Sequence, residues 1–202
     1  MKTLQLNSIT NFKFQTMKTM KTMKNISFYA LLSIAMIGCS DDDTAPEVIN
    51  DEELITTVIL TLTQESGDQV VLTTVDLDGD GPDEPVTTVV GNFAENTQYQ
   101  GAVRFLNETE TPAEEITEEV IEEADEHQVF YTVSEGLNIT TTYQDFDSND
   151  NPLGVNITLE TGEASSGSLT VTLRHEPVKP NDGLDSAGGE TDIATSFDVT
   201  IE

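Results

Sequence analysis

From Leu54 to the C-terminus, apolar and polar positions alternate with a period of two, and the polar positions are rich in Thr. LITTVILTLT (54–63) is β-branched almost throughout, and QVVLTTVD (69–76) returns after a turn at Gly67-Asp68. The same texture recurs in PVTTVVG (85–91), TQYQGAVRFLN (97–107), VFYTV (129–133), LNITTTYQ (137–144), LGVNITLE (153–160), GSLTVTLRHE (167–176) and IATSFDVTIE (193–202). Turn residues separate each pair. Short alternating runs at this spacing predict an all-β fold, an immunoglobulin-like antiparallel β-sandwich of eight to nine strands. Phe93 and Thr97-Gln98-Tyr99 fit the approach to a tyrosine corner, in which a phenol bonds back to upstream backbone; a plain core Tyr is the alternative.

One segment breaks the alternation. Thr111-Pro112-Ala113-Glu114 supplies an N-cap, a first-turn Pro and a capping-box Glu, predicting a helix over 112–126. Ile116, Val120, Ile121 and Ala124 form its apolar stripe, and Glu114, Glu115, Glu118, Glu119, Glu122, Glu123 and Glu126 its other face. The like charges spaced four apart cost such a helix about 1–2.5 kcal/mol, which docking of the stripe must offset.

Charge changes the picture next. The 202 residues hold 8 Lys+Arg against 38 Asp+Glu, a net charge of −30, which argues against a nucleic-acid partner because phosphate neutralisation needs cations. Residues 1–38 carry Lys2, Lys13, Lys18, Lys21 and Lys24 and no acid, whereas residues 39–202 carry three bases (Arg104, Arg174, Lys179) against all 38 acids, a formal −35. That split marks a leader. Lys18, Lys21 and Lys24 precede a mostly apolar stretch at 26–37, too short for the roughly 20 residues that span a bilayer. Gly38-Cys39 resembles the end of a bacterial lipobox, with Met36 in place of the usual Leu, and implies lipidation at Cys39, the only cysteine. Two acyl chains there would hold the protein to a membrane. Ser40, Asp41, Asp42 and Asp43 directly behind it resemble the Bacteroidota-type signal for the outer face of the outer membrane. The expected organisation is a signal peptide at 1–38, an acidic tether at 39–52 and a sandwich domain at 53–202.

Candidate chemistry is confined to a few places. Asp76, Asp78 and Asp80, followed by Gly81, make the opening half of a calcium loop. The twelfth position is Thr87 rather than Glu, so Asp83 or Glu84 must supply a further oxygen; the competing reading is an acidic hairpin turn. A second acidic loop at 145–151 has Asp150 where the Gly belongs. His127 and His175 are the only histidines and form a transition-metal candidate if the fold joins them with carboxylates. Otherwise they are surface residues, with His127 complementing a helix C-terminus. No G-x-S-x-G is present and no cysteine is left after lipidation, so no enzyme is expected. Asp43-Thr44-Ala45 and Asp185-Ser186-Ala187 resemble Bacteroidota-type O-glycosylation sites at Thr44 and Ser186, both placed in loops.

NDEELITTV (50–58), DLDGDG (76–81), ITEEVIEEADEHQVFY (116–131), SSGSLTVTLRHEP (165–177) and GETDIATSFDVTI (189–201) together resemble short flavobacterial-type surface lipoproteins labelled "type 1 periplasmic binding fold superfamily protein". The label implies a much larger two-lobed α/β fold, which the strand pattern contradicts. The resemblance implies a surface location and association with an outer-membrane TonB-dependent transporter, and no catalytic residues. The expectation is a non-enzymatic binding or accessory module; the alternative is a divalent-cation-capturing lipoprotein, with Ca2+ as its possible ligand.

Overall fold

The computed structural model of the protein describes residues 54–79 and 81–202. The leader, Cys39, the Ser40, Asp41, Asp42 and Asp43 run, Thr44, the tether and Asp80 lie outside the described residues. No helix among the described residues is long and apolar enough to cross a membrane.

The protein is an all-β sandwich. Strands β1 (Thr57–Gln64), β2 (Gln69–Val75), β3 (Val86–Val90) and β4 (Gln98–Asn107) are followed by a two-residue β5 (Glu114–Glu115) and helix α1 (Ile116–Glu122). Then come β6 (His127–Val133), β7 (Ile139–Tyr143), β8 (Asn156–Thr161), β9 (Ser165–His175), a helical turn α2 (Leu184–Ala187) and β10 (Glu190–Ile201). All nine predicted strands are present. They form a seven-stranded antiparallel sheet in the order β3-β2-β1-β4-β8-β7, with β5 appended to β4, and a three-stranded sheet in the order β10-β9-β6.

Alternation places the core. In β1, Val58, Leu60 and Leu62 are fully buried, while Ile59, Thr61 and Thr63 between them face outward. Leu72, Tyr99, Val103, Phe105 and Leu159 join them from the large sheet, and Val129, Leu169, Leu173, Phe197 and Ile201 meet them from the small one. Burying each such Leu or Phe contributes about 1.5–3 kcal/mol. The two sheets also meet at their ends, where Phe93 bridges Ile201 and the Glu202 N–H donates to the Phe93 carbonyl at 2.9 Å.

The tyrosine corner is formed. The Tyr99 hydroxyl accepts the Ala94 N–H at 2.9 Å and the Gln64 side-chain amide at 3.2 Å, with the Phe93 ring 5.8 Å away. Tyr99 itself is 0% exposed, and removing its oxygen strands a backbone donor. Tyr99→Phe is therefore expected to cost about 1–3 kcal/mol in urea denaturation, with an unchanged circular dichroism spectrum.

Four local expectations are corrected. The helix is half the predicted length, because Glu114 and Glu115 pair with Asn107 and Leu106 as β5 and Glu115 forms an ion pair with Arg104. Glu115, not Thr111, is the N-cap residue, and it makes no side-chain cap bond. Thr117 instead pins the first turn, accepting the Phe105 N–H at 2.8 Å. Ile116 and Val120 are buried as expected, but Ile121 is 49% exposed, since a helix this short buries one narrow edge. Finally, Ser186 lies on α2 rather than in a loop, with its hydroxyl donating to the Gly183 carbonyl at 3.0 Å and accepting the Asp182 N–H at 3.0 Å.

Candidate metal centre

The two histidines are cross-strand partners. His127 begins β6 and His175 ends β9, and the ladder places them directly opposite each other. Their rings stack at 4.8 Å between centroids and 11° between planes, and both are buried. A metal bound to an imidazole lies in the ring plane, about 2.0–2.1 Å from the nitrogen. Two parallel planes share no such point, so a single ion takes one of these rings and not both.

The residues flanking the pair complete the group. Just beyond the paired histidines, the Glu176 N–H donates to the Glu126 carbonyl at 2.6 Å, which holds the two glutamates side by side. Glu126, His175 and Glu176 each bring a ligand atom within 4.8 Å of the others, the only group of three or more such residues among those described. The glutamates are exposed and the imidazole is buried, so the site opens to solvent on its carboxylate side. Ligands at about 2.1 Å in a tetrahedral shell stand roughly 3.4 Å apart, a closure that exposed Glu side chains make by rotamer change.

His127 supports this arrangement from behind. Its Nδ1 lies 3.2 Å from the Glu123 carbonyl at the end of α1, and because a carbonyl only accepts, Nδ1 carries the proton. Burial lowers its pKa, aided by the neighbouring His175 and Lys179, and outweighs the opposing pull of the Glu123 carbonyl and Glu126. The ring is therefore neutral at pH 7, with Nε2 a bare lone pair that is buried and has no hydrogen-bond partner. The expected complementation of the helix end is met by this N–H, without a positive charge.

The acidic loops divide differently. In the first, the Asp78 carbonyl accepts the Gly81 N–H at 3.0 Å and its carboxylate accepts the Asp83 N–H at 3.2 Å. Gly79, with φ +56°, makes the sharp bend of this loop, and Gly81 does not. Gly81 is needed for space instead, since a Cβ there would fall 1.9 Å from an Asp78 carboxylate oxygen. Asp76, Asp78 and Asp83 do not converge among the described residues, and Asp80 lies outside them. Asp76 does hold one buried carboxylate oxygen, Oδ1, with no hydrogen-bond partner.

The second loop is filled by the chain itself. Asp145 accepts the backbone N–H groups of Gly154 and Asn156, and Asp147 Oδ1 accepts those of Asn149 and Asn151, all at 2.8 Å. The Lys179 ammonium completes it, donating to the carbonyls of Ala124 at 2.7 Å and His127 at 2.6 Å and to Asp147 Oδ2 at 3.4 Å. An ammonium among three oxygens occupies the place a cation would take. Burial tends to raise the Asp147 pKa, but the donors from Asn151 and Asn149 and the Lys179 charge hold it below the usual range. Burial lowers the Lys179 pKa more than Asp147 raises it.

The sequence already set Glu126 beside His127 and Glu176 beside His175, but gave Lys179 no role in a site. For the glutamates a signal existed: Glu126-His127 and His175-Glu176 are mirrored dipeptides, and antiparallel pairing brings mirrored dipeptides face to face. No family model, curated protein or solved structure matches the chain.

Proposed function

We propose that the protein is a non-enzymatic, lipid-anchored binding module of the cell surface, and that its cargo is a divalent cation. The convergence of Glu126, His175 and Glu176 at one end of the small sheet carries this reading. One imidazole and two carboxylates suit zinc or a neighbouring first-row ion better than calcium, which prefers all-oxygen shells. The formal −35 of residues 39–202 raises the local cation concentration and speeds capture. Support for the anchor comes from Cys39 at the charge boundary and the acidic run behind it. The resemblance implies association with an outer-membrane transporter, and handing the ion to such a partner is the outlet that this reading adds.

Titration calorimetry at physiological ionic strength tests the cargo. The Cys39→Ser chain is used, so that no thiol competes for metal. Zinc is expected to saturate one site, His175→Ala to abolish the heat and Glu126→Gln to weaken binding by about tenfold or more. A zinc isotherm indifferent to His175→Ala sinks the reading.

The buried, unpartnered Asp76 Oδ1 favours a second cation, calcium, in the loop that begins at Asp76. Lacking a terminal bidentate Glu, that site should be as weak as extracellular modules, on the order of 0.1–1 mM. In the same titrations Asp78→Asn should remove the calcium heat and leave the zinc heat intact. Calcium binding that survives Asp78→Asn places it elsewhere.

A further inference from the structure

Strand β3 ends the large sheet with an unprotected edge. It pairs with β2 on one side only, in an unbroken register from Val71↔Val90 to Val75↔Val86. All five of its residues are exposed, including Thr87 and Val89, whose partners Thr74 and Leu72 are buried in the core. Val86 is 62% and Val90 66% exposed. Natural edge strands are guarded by Lys, Pro, bulges or covering loops. Val86-Thr87-Thr88-Val89-Val90 has none of these within it.

The surface beside this edge is as unusual as the edge itself. Val71, Thr73 and Val75 continue the outer face next to Val90, Thr88 and Val86, and Ile59 and Thr61 extend it onto β1. None of these residues is charged, in a chain that otherwise averages more than one acid every six residues. A protein so acidic approaches its own copy only where carboxylates are missing.

We propose that β3 is the seam of a two-fold homodimer, in which the β3 strands of two copies of this chain pair antiparallel about Thr88 and join their large sheets into one. A two-fold axis normal to the sheet keeps each residue on its own face, so the paired positions are Val86 with Val90, Thr87 with Val89, and Thr88 with itself. The two most exposed valines thus cover each other across the seam. β-branched cross-strand pairs are the favourable kind, and the pairing satisfies edge N–H and C=O groups.

Charge selects this orientation. The acidic loop carrying Asp76, Asp78, Asp83 and Glu84 enters β3 at its Val86 end, while the β1–β2 turn beside its Val90 end carries fewer acids, Glu65 and Asp68. Antiparallel pairing separates the two Val86 residues by four positions, about 13 Å, beyond the Debye length of about 8 Å at physiological salt. Parallel pairing would bring the two acidic loops together. A five-residue seam is short, so the dimer is weak and reversible.

Sedimentation velocity of the full chain carrying Cys39→Ser, across a wide concentration range, tests the proposal. Wild-type β3 should give a monomer–dimer equilibrium. Thr88→Lys, which sets like charges opposite each other on the axis, should weaken it about tenfold or more without moving the thermal midpoint. With Thr88→Cys as the only thiol, mild oxidant should give a covalent dimer, since directly paired residues lie within disulfide reach. Thr73→Cys, one strand inward, should not. A chain that is monomeric throughout, or a dimer indifferent to Thr88→Lys, overturns the proposal. A Thr88→Cys chain that crosslinks in whole cells to a protein of another mass overturns it too, and gives the edge to a different partner.

Discussion

Lys179→Met should lower stability by about 3–5 kcal/mol, the largest loss expected from any single surface-proximal residue. The Lys179 and Asp147 side chains are 5% and 1% exposed, so each ion depends on the other rather than on water. Met keeps the length and packing of the stem and removes only the ammonium. It leaves the Asp147 carboxylate buried without a cation, held only by the Asn149 and Asn151 N–H groups and the Asn151 side-chain amide, and it unpairs the carbonyls of Ala124 and His127 where α1 runs into β6. Asp147→Asn should cost less, because Lys179 keeps those two carbonyls. The double variant should recover part of the loss, since it buries no ion alone. Urea denaturation of the three variants gives the coupling directly. The pH dependence has a definite sign. With its native pKa lowered, Asp147 contributes stability that is complete above its unfolded value of about 3.9 and is lost as pH falls through the native one. In the Asn variant that part of the acid limb should flatten.

Gly189→Ala is expected to cost about 3 kcal/mol or more and to damage the proposed metal capture as well. Gly189 has φ +70°, a region that L residues enter only with strain. A Cβ there would lie 2.2 Å from the His175 carbonyl oxygen and 2.9 Å from the Glu176 carbonyl, and neither backbone atom can swing aside. The turn into β10 must therefore move the two residues that line the candidate metal centre. Gly67→Ala separates strain from clash. Its φ of +92° is equally unfavourable, but nothing lies within 4 Å of the added carbon, so only the conformational part should appear, about 1–2 kcal/mol. Thermal melts combined with zinc titration distinguish the pair: Gly67→Ala should melt earlier and bind as before. Normal zinc affinity in Gly189→Ala would show that the centre does not need this turn.

The strands were legible because alternation is a local signal and each strand has one buried face. Leu60, Phe105, Leu159, Leu173 and Phe197 stand out from their neighbours in the sequence as they do in the core. The tyrosine corner was legible for a similar reason, as its parts lie within seven residues. The helix was misjudged because capping residues and an apolar stripe say nothing about a competing strand: β4 claimed Glu114 and Glu115 first. β3 read as an ordinary strand, since a period of two shows which residues share a face and not whether anything covers it. The candidate metal centre and the Lys179 ion pair were least legible. They join residues 126 with 176 and 147 with 179, and only the β6–β9 register and the packing of the loops bring those positions together.

Lys179 is also the one lysine in residues 40–202, and its amine is sealed by three oxygen acceptors. Amine-acylating reagents need a free, neutral nitrogen, so in this domain they have one side-chain target, and only while that corner is open. The rate of acylation at this position thus measures how often α1, the 145–151 loop and the segment before α2 part from one another. The fold carries a built-in chemical clock for its own local opening, readable by mass without any label being added.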